Sequence, residues 1–250
     1  MVQKIRMAAA EVIGRAHESR GEKCQDRAEC SRGRTVSVIA LSDGAGSASH
    51  AALGAETSVT VISKFLRANF HFLLQQNNDD ISIHITERTQ SSLNRLAKKG
   101  GIHIKDLAAT LLFAATDGEN YLCGQIGDGR IAKFTKELHA TLMFQPYKGE
   151  FINETVFITN PTADKYLQVE IGSMSEYSGF ALMSDGAEES LFNRSTNQFA
   201  QGLARIMTWF DAHSERSVQV AIQQNLEEVM RQKTMDDLSL AILKIAESSQ

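Results

Sequence analysis

Apolar residues recur at two spacings along this chain, and the changes of spacing divide it into stretches. "KIRMAAAEVI" at 4–13 fits either a strand or a short helix. "GRAHESRGEKCQDRAEC" is polar and rich in turn formers. "TVSVIALS" is a β-branched run of strand length, ended by Asp-Gly. From Ser47 to Gln76 the apolar residues fall at helical spacing, with small residues near the start. "DDISIHITERTQSSLNRLAKKG" predicts a second helix, stopped at Gly100-Gly101.

The middle of the chain turns to strands. "LAATLLFAATDGENYLCGQIGDGRIAKFT" holds two apolar runs joined by "TDGEN", a hairpin signal, and "GDGR" turns the chain into "IAKFT". "FINETVFIT", "KYLQVEIG" and "SGFALMS" predict further short strands. Two helices are expected near 196–212 and 215–233, and "DDLSLAILKIA" closes as a strand. Strands grouped around paired helices, without regular βαβ alternation, predict an α+β fold with antiparallel sheets.

Composition narrows the function. The 250 residues are 42% hydrophobic and 22% charged, an ordinary globular balance. A net charge of −4 with no basic block argues against a nucleic-acid partner. No apolar run reaches membrane-spanning length and no signal pattern opens the chain, so no membrane partner is expected. Cys24, Cys30 and Cys123 match no zinc spacing, and the odd count suits reduced thiols in the cytoplasm. Pro146 and Pro161 mark 141–165 as the longest irregular segment.

Aspartates sit where strands end. Asp43 follows "VIALS", Asp185 follows "FALMS", and Asp236 precedes "DLSLAIL". Asp26 is expected in a loop before a strand, and Asp128 in the "IGDGR" turn. A carboxylate at a strand end is held rigidly, and several can meet at one rim. Converging oxygens suit Mg²⁺ or Mn²⁺ rather than zinc. Taken singly, such an aspartate is more often a turn or cap residue. Asp117 of "TDG" is read that way.

The ordered set "CQD", "VIALSDGAGS", "IGDGRIAKF", "FALMSDGAEE" and "MDDLSLAIL" resembles the metal-dependent protein phosphatases of the PP2C (PPM) family. It looks closest to a bacterial branch opening on G-x-x-H and CQD, matched here by "GRAHESRGEKCQD". The likeness runs over 14–243 and implies a single PP2C-like domain over 1–250. The implied fold is a β-sandwich of two antiparallel sheets flanked by helix pairs, at 47–100 and 196–233 here. The implied activity is hydrolysis of protein phosphoserine and phosphothreonine by a water activated between two Mn²⁺ or Mg²⁺ ions. By the same resemblance Asp43 bridges the ions and the Gly44 carbonyl joins one of them. Asp185 and Asp236 hold the other, and Asp26 binds metal or a metal-bound water. Asp128 with Asp185 holds a third ion, and Asp237 supports. The partners implied are a phosphoprotein and a Ser/Thr kinase, and 141–165 stands where relatives carry a flap.

Three positions depart from the family pattern. Gln25 replaces an acidic residue, Gly21 replaces a phosphate-gripping Arg, and Ala45 stands where many members have His or Met. Arg20 is then the phosphate candidate, and a metal-bound water, His17 or His50 is the candidate for protonating the leaving group. The same departures carry the alternative, a non-catalytic binding or regulatory module on this fold with weak metal binding.

Overall fold

The computed structural model describes residues 4–145 and 155–246. Two five-stranded antiparallel sheets carry the structure. One has the order β1-β12-β9-β6-β7, from Lys4–Val12, Leu238–Ala246, Tyr177–Met183, Arg130–Thr135 and Ala140–Leu142. The other has the order β2-β3-β4-β5-β8, from Asp26–Arg32, Ser37–Asp43, Leu111–Thr116, Asn120–Ile126 and Gln168–Ser173. Their inner faces meet through Met7, Ile39, Leu41, Leu112, Phe180, Leu182 and Leu243, all buried. Burying each large side chain of this kind stabilises the fold by about 1.5–3 kcal/mol.

Each outer face carries a helix pair. α2 (Ala51–Leu73) and α3 (Asn78–Gly100) cover the second sheet through Val59, Ile62, Leu66, Phe70, Ile81, Ile85 and Leu93. The ends of α3 are set by local chemistry. Asn77 caps it by accepting the Asp80 N–H, acidic residues fill its first turn and Lys98 and Lys99 its last, and Gly101 stops it at φ +66°. α5 (Gln201–Ala212) and α6 (Glu215–Asn225) cover the first sheet through Leu203, Met207, Phe210, Val218 and Ile222. The expected α+β sandwich between helix pairs is therefore the observed one.

Several local expectations change. The ambiguous 4–13 is strand β1, drawn out by nine paired positions with β12. The polar stretch before β3 contains a five-residue helix α1 (Arg15–Ser19) and strand β2. β2 hid because it is an edge strand, pairing only with β3, so its mixed residues show no apolar alternation. The strand expected at 151–159 is absent over 155–159, and 151–154 lie outside the described residues. The helix expected from 196 starts at Gln201, because a hairpin of β10 (Phe192–Asn193) and β11 (Gln198–Phe199) intervenes. Directly after β9 comes an unforeseen helix, α4 (Asp185–Leu191).

Candidate active site

Asp26 is the first residue of β2 rather than a loop residue, and it stands opposite Asp43, the last residue of β3. The Asp43 backbone is clamped to Thr110: its N–H donates to Thr110 Oγ1 at 2.9 Å, and its carbonyl accepts the Thr110 N–H at 2.8 Å. The Gly44 N–H donates to the Gln25 carbonyl at 3.2 Å. A Cβ on Gly44 would lie 2.7 Å from the Ala51 carbonyl carbon, so only glycine lets β3 run this close to the start of α2.

The second Asp-Gly uses the same device elsewhere. Asp185 opens α4, and its Oδ1 accepts the Gly186 N–H at 2.7 Å. A Cβ on Gly186 would lie 2.1 Å from the Asp237 carbonyl oxygen. Thus Gly186 brings α4 against the segment carrying Asp236 and Asp237. Asp128 lies in the turn between β5 and β6, where Gly127 takes φ +111°, and its Oδ2 accepts the Thr155 hydroxyl at 2.6 Å.

These elements enclose a cavity of about 380 Å³. Asp43, Asp128, Asp185 and Asp236 line it, with His17, Arg20, Ala45, Thr110, Phe157 and Met235. Asp26 is buried, 1% exposed, and neither carboxylate oxygen has a hydrogen-bond partner among the described residues. Burial pushes the Asp26 carboxyl up to about 7; the Ser239 and Ser184 side chains pull it down, and the charges of Asp237 and Asp185 push it up again. Asp43 is held well above the usual carboxylate range, by burial first and then by the charges of Asp26, Asp185, Asp236 and Asp128. Asp185 is raised to about 6 by burial and by Asp236 and Asp128, against the pull of the Gly186 N–H. Two strand ends, a helix start and two turns thus bring mutually repelling carboxylates to one place.

Asp237, 2% exposed, ties three segments together. Its Oδ1 accepts the Gly14 N–H at 2.6 Å, its Oδ2 accepts the Gln25 N–H at 2.5 Å, and Oδ2 lies 2.9 Å from His17 Nδ1. Gln25 gives its N–H to Asp237 and its carbonyl to the Gly44 N–H, while its side-chain oxygen is buried without a partner among the described residues. Arg20 lines the cavity with its guanidinium paired to both oxygens of Glu22, each at 2.9 Å. His50 is exposed at the start of α2, 3.0 Å from the Ser49 hydroxyl, and is not among the cavity's lining residues. Asp117 makes a turn, its Oδ1 accepting the Glu119 and Asn120 N–H groups.

Sequence reading missed Thr110, Thr155, Phe157 and Met235, which carry no motif. It also missed a buried ion pair behind the cavity. Glu188, fully buried in α4, accepts from Arg130 at 3.1 Å and from Arg194 at 2.8 Å. This pair joins the Asp128 turn to the helix that Asp185 opens. Arg130 follows Asp128 in "GDGR", and Glu188 follows Asp185 by three, so both were visible as letters without a visible partner.

Among the described residues, no three His, Cys, Asp or Glu side chains form a group that would hold a metal ion by themselves. The family model for protein phosphatase 2C matches residues 13–231. The chain belongs to the protein phosphatase 2C family. It is a PP2C-type protein phosphatase. The match ends before Asp236 and Asp237, which join this phosphatase's site through β12. A bacterial serine phosphatase matches the structure with a TM-score of 0.66 and 11% identity, covering 99% of this chain and 100% of that one. The serine/threonine phosphatase Stp1 from Staphylococcus aureus gives 0.62 and 13%, covering 99% and 96%. RsbX, solved in complex with magnesium, gives 0.58 and 12%, covering 98% and 100%. At these identities the structures share the PP2C fold with this phosphatase. No curated protein sequence matches it.

Proposed function

We propose that this PP2C phosphatase hydrolyses phosphoserine and phosphothreonine esters in proteins with two divalent ions, Mg²⁺ or Mn²⁺, seated in the carboxylate cavity. The carrying observation is the burial of Asp26, Asp43 and Asp185 among like charges, which raises Asp26 to about 7 and Asp185 to about 6. Buried carboxylates without paired bases call for a cation, and oxygen-only donors suit hard ions that keep several waters. Waters and the Gly44 carbonyl would complete shells that the side chains alone leave open. RsbX, a protein of the same fold, was solved with magnesium.

Asp26, Asp43, Asp185, Asp236 and the Gly44 carbonyl would hold the two ions. Asp128 with Asp185 would hold a third. Bound there, the ions supply an activated water and neutralise charge on the phosphoryl oxygens. The chain's part is positioning. Thr110 fixes Asp43 at the end of β3, the Gly186 N–H orients Asp185, and Thr155 orients Asp128. Arg20 at the rim, already charge-paired, is placed to receive the phosphate as it releases Glu22.

The substrate is a phosphoprotein, and a Ser/Thr kinase is its expected supplier. Segment 141–165 bears on substrate choice, since Thr155 and Phe157 reach the cavity; 146–154 lie outside the described residues. Three free thiols fit the cytoplasm. A non-catalytic module is disfavoured because all five candidate aspartates remain electrostatically coupled around the site. The test is release of phosphate from a phosphothreonine peptide with Mn²⁺. Turnover abolished by EDTA supports the proposal; turnover that EDTA leaves intact, or none with Mn²⁺ or Mg²⁺, defeats it.

A further inference from the structure

A serine or threonine alkoxide is a poor leaving group and needs a proton as the phosphorus–oxygen bond breaks. The cavity's four carboxylates are the candidate metal ligands, its alanines, glycines, Phe157 and Met235 carry no titratable proton, and the Thr110 hydroxyl, which accepts the Asp43 N–H, is no more acidic than the leaving alcohol. Arg20 stays protonated. Thr155 gives its proton to Asp128. Among the described residues, His17 is the only imidazole on the wall.

Its setting is that of an oriented acid. His17 is 7% exposed, fixed in α1 with Nδ1 2.9 Å from Asp237 Oδ2. Asp237 is itself locked by the Gly14 and Gln25 N–H groups. The Asp237 carboxylate lies against the Nδ1 side of the ring, which leaves Nε2 as the nitrogen available to exchange a proton. Nε2 accepts and donates no hydrogen bond among the described residues. The nearest carboxylate, Glu22, is 3.7 Å away with both oxygens on Arg20.

The geometry points to His17 as the general acid of this phosphatase, with Asp237 as its positioning residue. The inference rests on the phosphatase reading above. As water's oxygen bonds to phosphorus, the ester oxygen leaves and takes the Nε2 proton, giving the free hydroxyl and inorganic phosphate. His17 recovers a proton from the attacking water through solvent.

Leaving-group dependence tests this, because p-nitrophenolate leaves without a proton and an alkoxide does not. General acids contribute roughly 10²–10⁴-fold. His17→Gln should therefore lose at least ~10-fold more kcat on a phosphothreonine peptide than on p-nitrophenyl phosphate. Equal losses on both substrates overturn the inference and leave the phosphatase reading standing. Wild type inactive on both substrates overturns both. Should His17→Gln fail to fold, wild type decides alone, with a series of phosphate monoesters of rising leaving-group pKa. A shallow fall in kcat supports a proton donor, and a steep fall overturns it.

Discussion

Asp26 and Asp43 face each other directly across the β2–β3 ladder, two carboxylates at one antiparallel register position. Like charges opposite one another destabilise a sheet. This pair is tolerable in a fold that binds cations or holds protons there.

Burial adds to the cost of this pair. Asp26 and Asp185 sit near 7 and 6, above the usual carboxylate value of 3.8. Between those values the folded chain holds protons that the unfolded chain has released, so stability falls as pH rises. In EDTA the melting temperature should drop from pH 5 to pH 8. Saturating Mn²⁺ should remove the drop, and Asp26→Asn should flatten it without metal. Thermal melts at the two pH values check this.

Asp43→Asn, Asp185→Asn and Asp236→Asn should each lower kcat on a phosphopeptide by roughly 10²-fold or more, the scale of losing one electrostatic stabiliser. Asp117→Asn, in the β4–β5 turn, should keep near-wild-type kcat. Steady-state kinetics of the four variants separates site from turn.

Gly186→Ala places a methyl 2.1 Å from the Asp237 carbonyl oxygen. Backbone must shift, at about 1–3 kcal/mol. Gly46→Ala meets nothing within 4 Å and should stay within about 0.5 kcal/mol of wild type. Urea denaturation measures both.

Arg130→Met strips Glu188 of its buried partner, and such losses cost about 3–5 kcal/mol. Arg194 grips the same oxygen from an exposed position, so Arg194→Ala should cost no more than about 1 kcal/mol. Denaturation midpoints at equal m-value report the difference.

The sandwich was legible because its central strands and its long helices follow strict periodicities. β3, β4 and β9 are continuous apolar runs, and α2 and α3 bury one face each. β2 and α4 were not legible. The polar residues of β2 make sense only beside β3, and α4 reads as a strand-end turn until Glu188 meets Arg130. Likewise Asp43 and Asp185 announced themselves by the shared Ser-Asp-Gly-Ala, but the reason for each glycine is a neighbour far away in sequence, Ala51 in one case and Asp237 in the other. His17, Arg20 and His50 were equal as letters. Burial against Asp237 sets His17 apart, and α2 carries His50 away from the cavity.

The most direct test is anomalous diffraction at the manganese edge from crystals grown with Mn²⁺. The account predicts manganese peaks flanked by Asp43, Asp185 and Asp236, with one against the Gly44 carbonyl. A well-ordered cavity holding no manganese in saturating Mn²⁺ would contradict it.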